Sequence, residues 1–160
     1  MCCLLLLSLG CHSHETKTSH HSVTSAKDST PQAGLGSGHY EFCYVTADDT
    51  AILSLEVSER GVEGKLLLQY LGRERTDGRF ENAYFRGDTL ITDYRYWNDE
   101  GQFLREMVFL IRNEKAYEGF GRLKTQGDKE VFVSHKTIQF NAPPLLIDGC
   151  GHRVPTYSHE

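Results

Sequence analysis

Thr89-Leu-Ile-Thr-Asp-Tyr-Arg-Tyr-Trp97 alternates in character: Leu90, Thr92, Tyr94 and Tyr96 fall on one side, Asp93 and Arg95 on the other. A period of two sends successive side chains to opposite faces of an extended chain. Aromatic and β-branched residues favour such a pleated surface. Arg86-Gly87-Asp88 precedes the stretch and Asn98-Asp99-Glu100-Gly101 follows it. Gly, Asn and Asp supply the positive φ that hairpin turns require. The stretch therefore predicts a strand with an antiparallel neighbour before and after it.

Outward from this strand the same texture repeats. In Val62–Tyr70, Val62, Gly64, Leu66, Leu68 and Tyr70 share a face, opposed by Glu63, Lys65 and Gln69. In Thr50–Val57, Ala51, Leu53, Leu55 and Val57 oppose Thr50, Ser54 and Glu56. Further runs lie at His39–Thr46, Phe80–Phe85, Phe103–Arg112, Ala116–Leu123 and Glu130–Ser134. The remaining joints are Asp48-Asp49, Glu59-Arg60-Gly61, Asp77-Gly78, Asn113-Glu114 and Gly127-Asp128. The stretch Thr137–Cys150 is expected to add a strand on each side of Pro143-Pro144, with Leu145-Leu146-Ile147 returning to the first strand. No stretch holds a convincing helical period. The expected fold is all-β, an antiparallel meander closed into a small barrel of roughly eight to ten strands. Closure is favoured because it removes exposed edges; a β-sandwich is the alternative.

The flanks have a different composition. The apolar run from Cys2 to Gly10 is less than half the ~20 residues that cross a bilayer, but it fits the apolar region of a signal peptide. No Lys or Arg precedes it. Ser8-Leu9-Gly10-Cys11 resembles a bacterial lipobox, with Ser8 where Leu is usual. Residues 1–10 are thus expected to be a lipoprotein signal peptide and Cys11 the lipidated (palmitate-bearing) N-terminus. Residues 11–38 have Val23 and Leu35 as their only large apolar side chains. Such a segment cannot offset its own ordering entropy, so it is expected to be a disordered tether. Residues 39–150 form the domain, and 151–160 a polar tail.

Of the five cysteines, Cys2 and Cys3 leave with the leader and lipid consumes Cys11. Cys43 and Cys150 stand at the opening and close of the domain. In an oxidising compartment such a pair reads as a disulfide bond; two unpaired buried thiols are the alternative. No CxxC motif supports redox or zinc-ribbon chemistry.

The chain carries 17 Lys+Arg against 22 Asp+Glu, a formal charge of −5, and its densest basic stretch, Arg73-Glu-Arg75, is interrupted by an acid. Nucleic-acid binding needs a clustered basic patch, so no nucleic-acid partner is expected. His12, His14, His20 and His21 are metal-type ligands, but a tether lacks the fixed geometry and supporting shell of a specific site. No metal or cofactor is assigned. Arg86-Gly87-Asp88 is hairpin chemistry, and Gly34–Gly38 completes no dinucleotide or phosphate fingerprint.

Arg105, Glu106 and Glu118 interrupt strands that are otherwise apolar. Two carboxylates can serve as acid and base, although residues of this kind on neighbouring strands more often pair or face solvent, so no catalytic residue is assigned. Tyr84, Tyr94, Tyr96, Trp97 and Tyr117 combine apolar bodies with polar tips and could line a cup for a small ligand.

Phe42-Cys-Tyr, Gly87-Asp-Thr-Leu-Ile-Thr-Asp-Tyr94, Arg105-Glu-Met-Val-Phe-Leu110, Glu118-Gly-Phe-Gly121 and the late Cys150 together resemble a group of uncharacterised lipoproteins from Bacteroidota-type bacteria. The resemblance spans roughly Tyr40 to Cys150 and implies one framed β domain, but no activity. The ten-residue tail and Phe120, where the group tends to have Tyr, depart from the pattern. The expected function is that of an envelope lipoprotein, anchored at the outer membrane, acting as a non-enzymatic module for a small ligand or another envelope protein. The alternative is a hydrolase or isomerase using Glu106 or Glu118.

Overall fold

A computed structural model describes residues 35–147 and Cys150. The expected signal peptide, the expected lipidation site at Cys11, the expected tether up to residue 34 and the tail after Cys150 lie outside the described residues. Ten strands follow one another: β1 (Gly38–Val45), β2 (Thr50–Ser58), β3 (Gly61–Gln69), β4 (Thr76–Arg86), β5 (Thr89–Asn98), β6 (Gly101–Arg112), β7 (Lys115–Glu118), β8 (Leu123–Gln126), β9 (Lys129–Phe132) and β10 (Leu145–Ile147). The only helical element among the described residues is a 3₁₀ turn at His135–Thr137.

Eight strands close into an antiparallel barrel. β1 to β6 form a meander, β7 follows β6, and β10 joins β7 to β1. Strand alternation puts Phe42, Leu53, Leu55, Leu66, Leu90, Phe109 and Ala116 inside, all at most 1% exposed. Phe80 packs against Phe109 at 6.0 Å and edge-on to Tyr94 at 6.2 Å. These residues fill the middle of the barrel. The end bearing the β2–β3, β4–β5 and β6–β7 turns is closed by Leu35, Val57 and Ile111, all buried. The opposite end bears the β1–β2, β3–β4 and β5–β6 connections and is less apolar.

Cys43 and Cys150 are joined, with Cα atoms 5.2 Å apart and a sequence separation of 107. The bond fixes the chain end beside β1, where Cys43 already pairs with Leu146 of β10. Barrel closure and disulfide thus tie down the same strand.

Three local readings are corrected. β4 starts at Thr76, because Asp77-Gly78 belongs to the strand. Gly78 is needed there for space: a Cβ would meet the Tyr94 ring at 2.6 Å and the Arg95 carbonyl oxygen closer still. The turn sits earlier, at Tyr70–Arg73, where the Arg73 N–H donates to the Tyr70 carbonyl at 3.0 Å and Gly72 has φ 73°. The Ala116–Leu123 run is broken, since the chain leaves the barrel at Gly119 and forms β8 and β9 as a hairpin on the outer wall. There β9 runs parallel to β6 at Leu104 and Arg105. Residues before Pro143-Pro144 form the 3₁₀ turn and one bridge, Phe120 to Gln139, rather than a strand.

This outer annex has its own small core. Ile91 and Val108, which face outward from β5 and β6, are buried by Phe132, with Leu123, Ile138 and Phe140 around them. Gly119 permits the close approach, because a Cβ there would meet Ile138 at 2.6 Å.

Candidate functional site

The inner face of β5 and β6 changes from apolar to polar toward the open end. Thr92 pairs with Met107, Tyr94 with Arg105 and Tyr96 with Phe103. The three rings form a ladder: Tyr94 stacks on Tyr96 at 5.0 Å, and Tyr96 on Phe103 at 5.5 Å. Aromatic pairs of this kind contribute about 0.5–1.5 kcal/mol each beyond their area burial. The Tyr94 hydroxyl donates to the Leu66 carbonyl at 2.9 Å, which anchors the lowest ring to β3.

Arg105 enters this space from β6 and Glu118 from the end of β7. They line one cavity of about 150 Å³, together with Tyr70, Thr76 and the Tyr94 and Tyr96 rings, above Met107 and Leu68. A second compartment of about 230 Å³ adjoins it, bordered by Tyr44, Asp49 and Pro143, and Tyr70 and Glu118 line both. The Arg105 Nε is buried without a hydrogen-bond partner. No ion pair within 4.0 Å links Arg105 to Glu118 among the described residues. A buried donor left unpaired costs about 1–3 kcal/mol, and more when it is charged.

Burial pushes the Glu118 carboxyl up to about 7, against an opposing pull from the Arg105 charge. The Tyr94 hydroxyl is pushed up to about 12, first by burial. The Tyr70 hydroxyl is pushed up to about 12 by burial and by the negative charges of Glu118 and Asp49. Near neutrality, therefore, the cavity sets the Arg105 cation beside a carboxyl close to its midpoint and neutral phenols, with Arg73 and Glu74 also in its lining.

Glu106 is placed differently. It lies one residue from Arg105, hence on the other side of the wall. One carboxylate oxygen accepts the Phe132 N–H at 2.8 Å and the other lies 2.9 Å from His135 Nε2. Arg86 Nη2 sits 3.2 Å from His135 Nδ1, which assigns the imidazole hydrogen to Nε2. Asp93 stands opposite Glu106 across β5 and β6. Like charges in that position repel, and Lys129 of β9 pairs with Asp93. Both outer carboxylates thus hold the annex on the barrel, so Glu106 and Glu118 do not converge.

The aromatic candidates separate in the same way. Tyr94 and Tyr96 line the cavity. Tyr84 and Trp97 are 50% and 48% exposed on the outer wall, where the Arg79 guanidinium lies 5.8 Å from the Trp97 ring centroid. Tyr117 alternates with the inward-facing Ala116 and Glu118 and faces away from the cavity. Tyr70, Thr76, Phe103 and Met107 were not singled out from sequence. Tyr70 and Met107 carry the inward alternation of their strands, but alternation does not say which end of a barrel is open. The one group of three metal-type ligands among the described residues is Glu41, Cys43 and Cys150, and its two sulfurs are joined to each other.

No protein-family model, curated protein or solved structure matches this chain.

Proposed function

We propose that this protein is a lipid-anchored module of the bacterial envelope that binds a small ligand in the open end of its barrel and does no chemistry on it. The observation that carries the reading is Arg105: a guanidinium lining a cavity, its Nε buried and bare of partners, beside a ladder of stacked rings. Ligand sites are typically concave and mostly apolar, with a few convergent polar groups that fix orientation. The apolar leader ending at Cys11 and the tether-like composition of residues 12–34 support an anchored protein whose domain stands off the membrane.

Native mass spectrometry of the protein, extracted from its own membranes in mild detergent, tests both parts. A chain beginning at Cys11 with a lipid-sized increment is expected, accompanied by a bound small molecule that dissociates on activation. An unmodified chain starting at Met1 would refute the anchor, and a Cys11→Ser variant still wholly in the membrane fraction would do the same.

An enzymatic reading has one specific observation in its favour. Glu118, with its carboxyl near 7, is suited to proton transfer at neutral pH. Turnover of a bound molecule that disappears in Glu118→Gln while binding persists would establish a hydrolase or isomerase instead.

A further inference from the structure

We infer that the cavity takes a small carboxylate carried on a flat apolar ring, its carboxylate paired with Arg105 and its ring packed beside the Tyr94 and Tyr96 rings of the ladder. This rests on the small-ligand reading above and gives that ligand a chemical class. Three features select the class. First, a guanidinium is a planar fork whose paired N–H groups match the two oxygens of a carboxylate, and the buried Nε of Arg105 has no protein acceptor. Second, the Tyr94 hydroxyl is committed to the Leu66 carbonyl. The ladder therefore presents ring rather than hydroxyl at its base, with the apolar Met107 and Leu68 beneath. Third, the compartment of about 150 Å³ that holds Arg105 suits one six-membered ring with its substituent, and Tyr70 and Glu118 stand at its border with the adjoining compartment of about 230 Å³.

Acids around the site argue for a single negative charge. Glu118 and Glu74 line the same cavity as Arg105 and Arg73, so the lining has no surplus of positive charge to hold a dianionic phosphate. A monoanion avoids this, because Glu118 can hold its proton and then donate to the ligand's second oxygen. Glu118 is faced by Arg105 from β6, by Tyr94 and Tyr96 from β5, and by Tyr70, Arg73 and Glu74 from the β3–β4 connection. Tyr44 and Asp49 face it from the β1–β2 end. The Tyr70 and Tyr94 hydroxyls are held far above neutrality, and Asp49 accepts the Leu71 N–H at 2.9 Å. Carboxylate uptake is thereby coupled to protonation of Glu118.

The test is titration calorimetry with the full chain in mild detergent, using benzoate, benzyl alcohol and benzylamine as probes. NMR shifts of the Met107 methyl report the location. Benzoate should bind at one site, shift Met107 and outcompete both other probes. Its affinity should fall by about tenfold or more in Arg105→Gln, the loss of a charge-assisted hydrogen bond. With a Glu118 midpoint of about 7, affinity should rise about tenfold from pH 8 to pH 6. Benzoate stays ionised across that window, and the rise should vanish in Glu118→Gln. Benzyl alcohol or benzylamine binding at Met107 as tightly as benzoate would overturn the carboxylate inference and leave the cavity reading standing. No shift at Met107 with any probe would overturn both. The probe comparison uses the unaltered protein, so it decides the matter even if Arg105→Gln does not fold.

Discussion

Replacing Glu118 by Gln should stabilise the protein at alkaline pH and leave it almost unchanged at acid pH. Glutamine keeps the shape of the side chain but cannot ionise. Burial raises the Glu118 carboxyl from 4.5 to about 7 in the folded chain. A carboxyl whose folded value lies above its unfolded value binds protons on folding between the two. Stability from this group is therefore fully present below about 4.5 and is lost as pH rises through about 7. At about 1.4 kcal/mol per pH unit, the full loss is about 3 kcal/mol, already net of the attraction to Arg105. For a domain of this size that corresponds to roughly 10 °C in Tm. The assay is urea unfolding of wild type and Glu118→Gln, each at pH 5 and pH 8.5, followed by tyrosine and tryptophan fluorescence. Comparing the two proteins at both pH values cancels every other titrating group. The advantage of Glu118→Gln should be small at pH 5 and reach about 3 kcal/mol at pH 8.5. An advantage of the same size at both pH values would refute the assignment of a buried, proton-holding Glu118.

Three further outcomes are expected. Cys150→Ser opens a 107-residue loop and should cost about 2–5 kcal/mol in denaturant unfolding; unfolding insensitive to the substitution would mean the bond is absent in solution. Gly78→Ala drives a methyl into the Tyr94 ring and the Arg95 carbonyl; it should cost about 1–3 kcal/mol and weaken any ligand bound over Tyr94, as read by thermal unfolding with and without that ligand. Lys129→Ala leaves Asp93, whose side chain is 14% exposed, without its cation and opposite Glu106; β8 and β9 amides should exchange faster while those of β1 to β3 do not change, a contrast measured by hydrogen–deuterium exchange.

Much of the barrel was legible because one rule, alternation, governs both strand formation and burial. Leu90, Thr92, Tyr94 and Tyr96 share a face in sequence and line the barrel in the structure. The Leu145–Ile147 return to Cys43 was also legible, since the disulfide demanded it. The annex was not. β8 and β9 are four-residue strands with few buried side chains, and their docking depends on Ile91 and Val108 being apolar on a face that alternation assigns to solvent. The early start of β4 was hidden because Gly78 looks like a turn residue, whereas its lack of a side chain makes room for Tyr94 across the sheet. At the site, alternation separates Arg105 from Glu106. Whether Glu118 lies with one or the other depends on the register of β7 against β6, which the two-residue Asn113-Glu114 turn sets by pairing Arg112 with Lys115.

That register also bears on why the interior is polar at one end. A closed barrel can be filled with side chains throughout, and this one is filled from the Leu35 end to Met107. Beyond Met107 the wall carries an arginine and a glutamate that neither pair directly nor pack as apolar side chains would. Apolar replacements of similar volume would avoid both the unpaired donor and the cost of ionising Glu118 above neutrality. The outer wall shows the contrast: Glu106 and Asp93 are equally charged and partly buried, yet both are engaged by partners from the annex. Polar groups that serve the fold of this protein are satisfied by the fold. Arg105 at the barrel mouth lacks the acceptor that a bound carboxylate would bring, so binding one would relieve a cost that the fold itself leaves uncompensated.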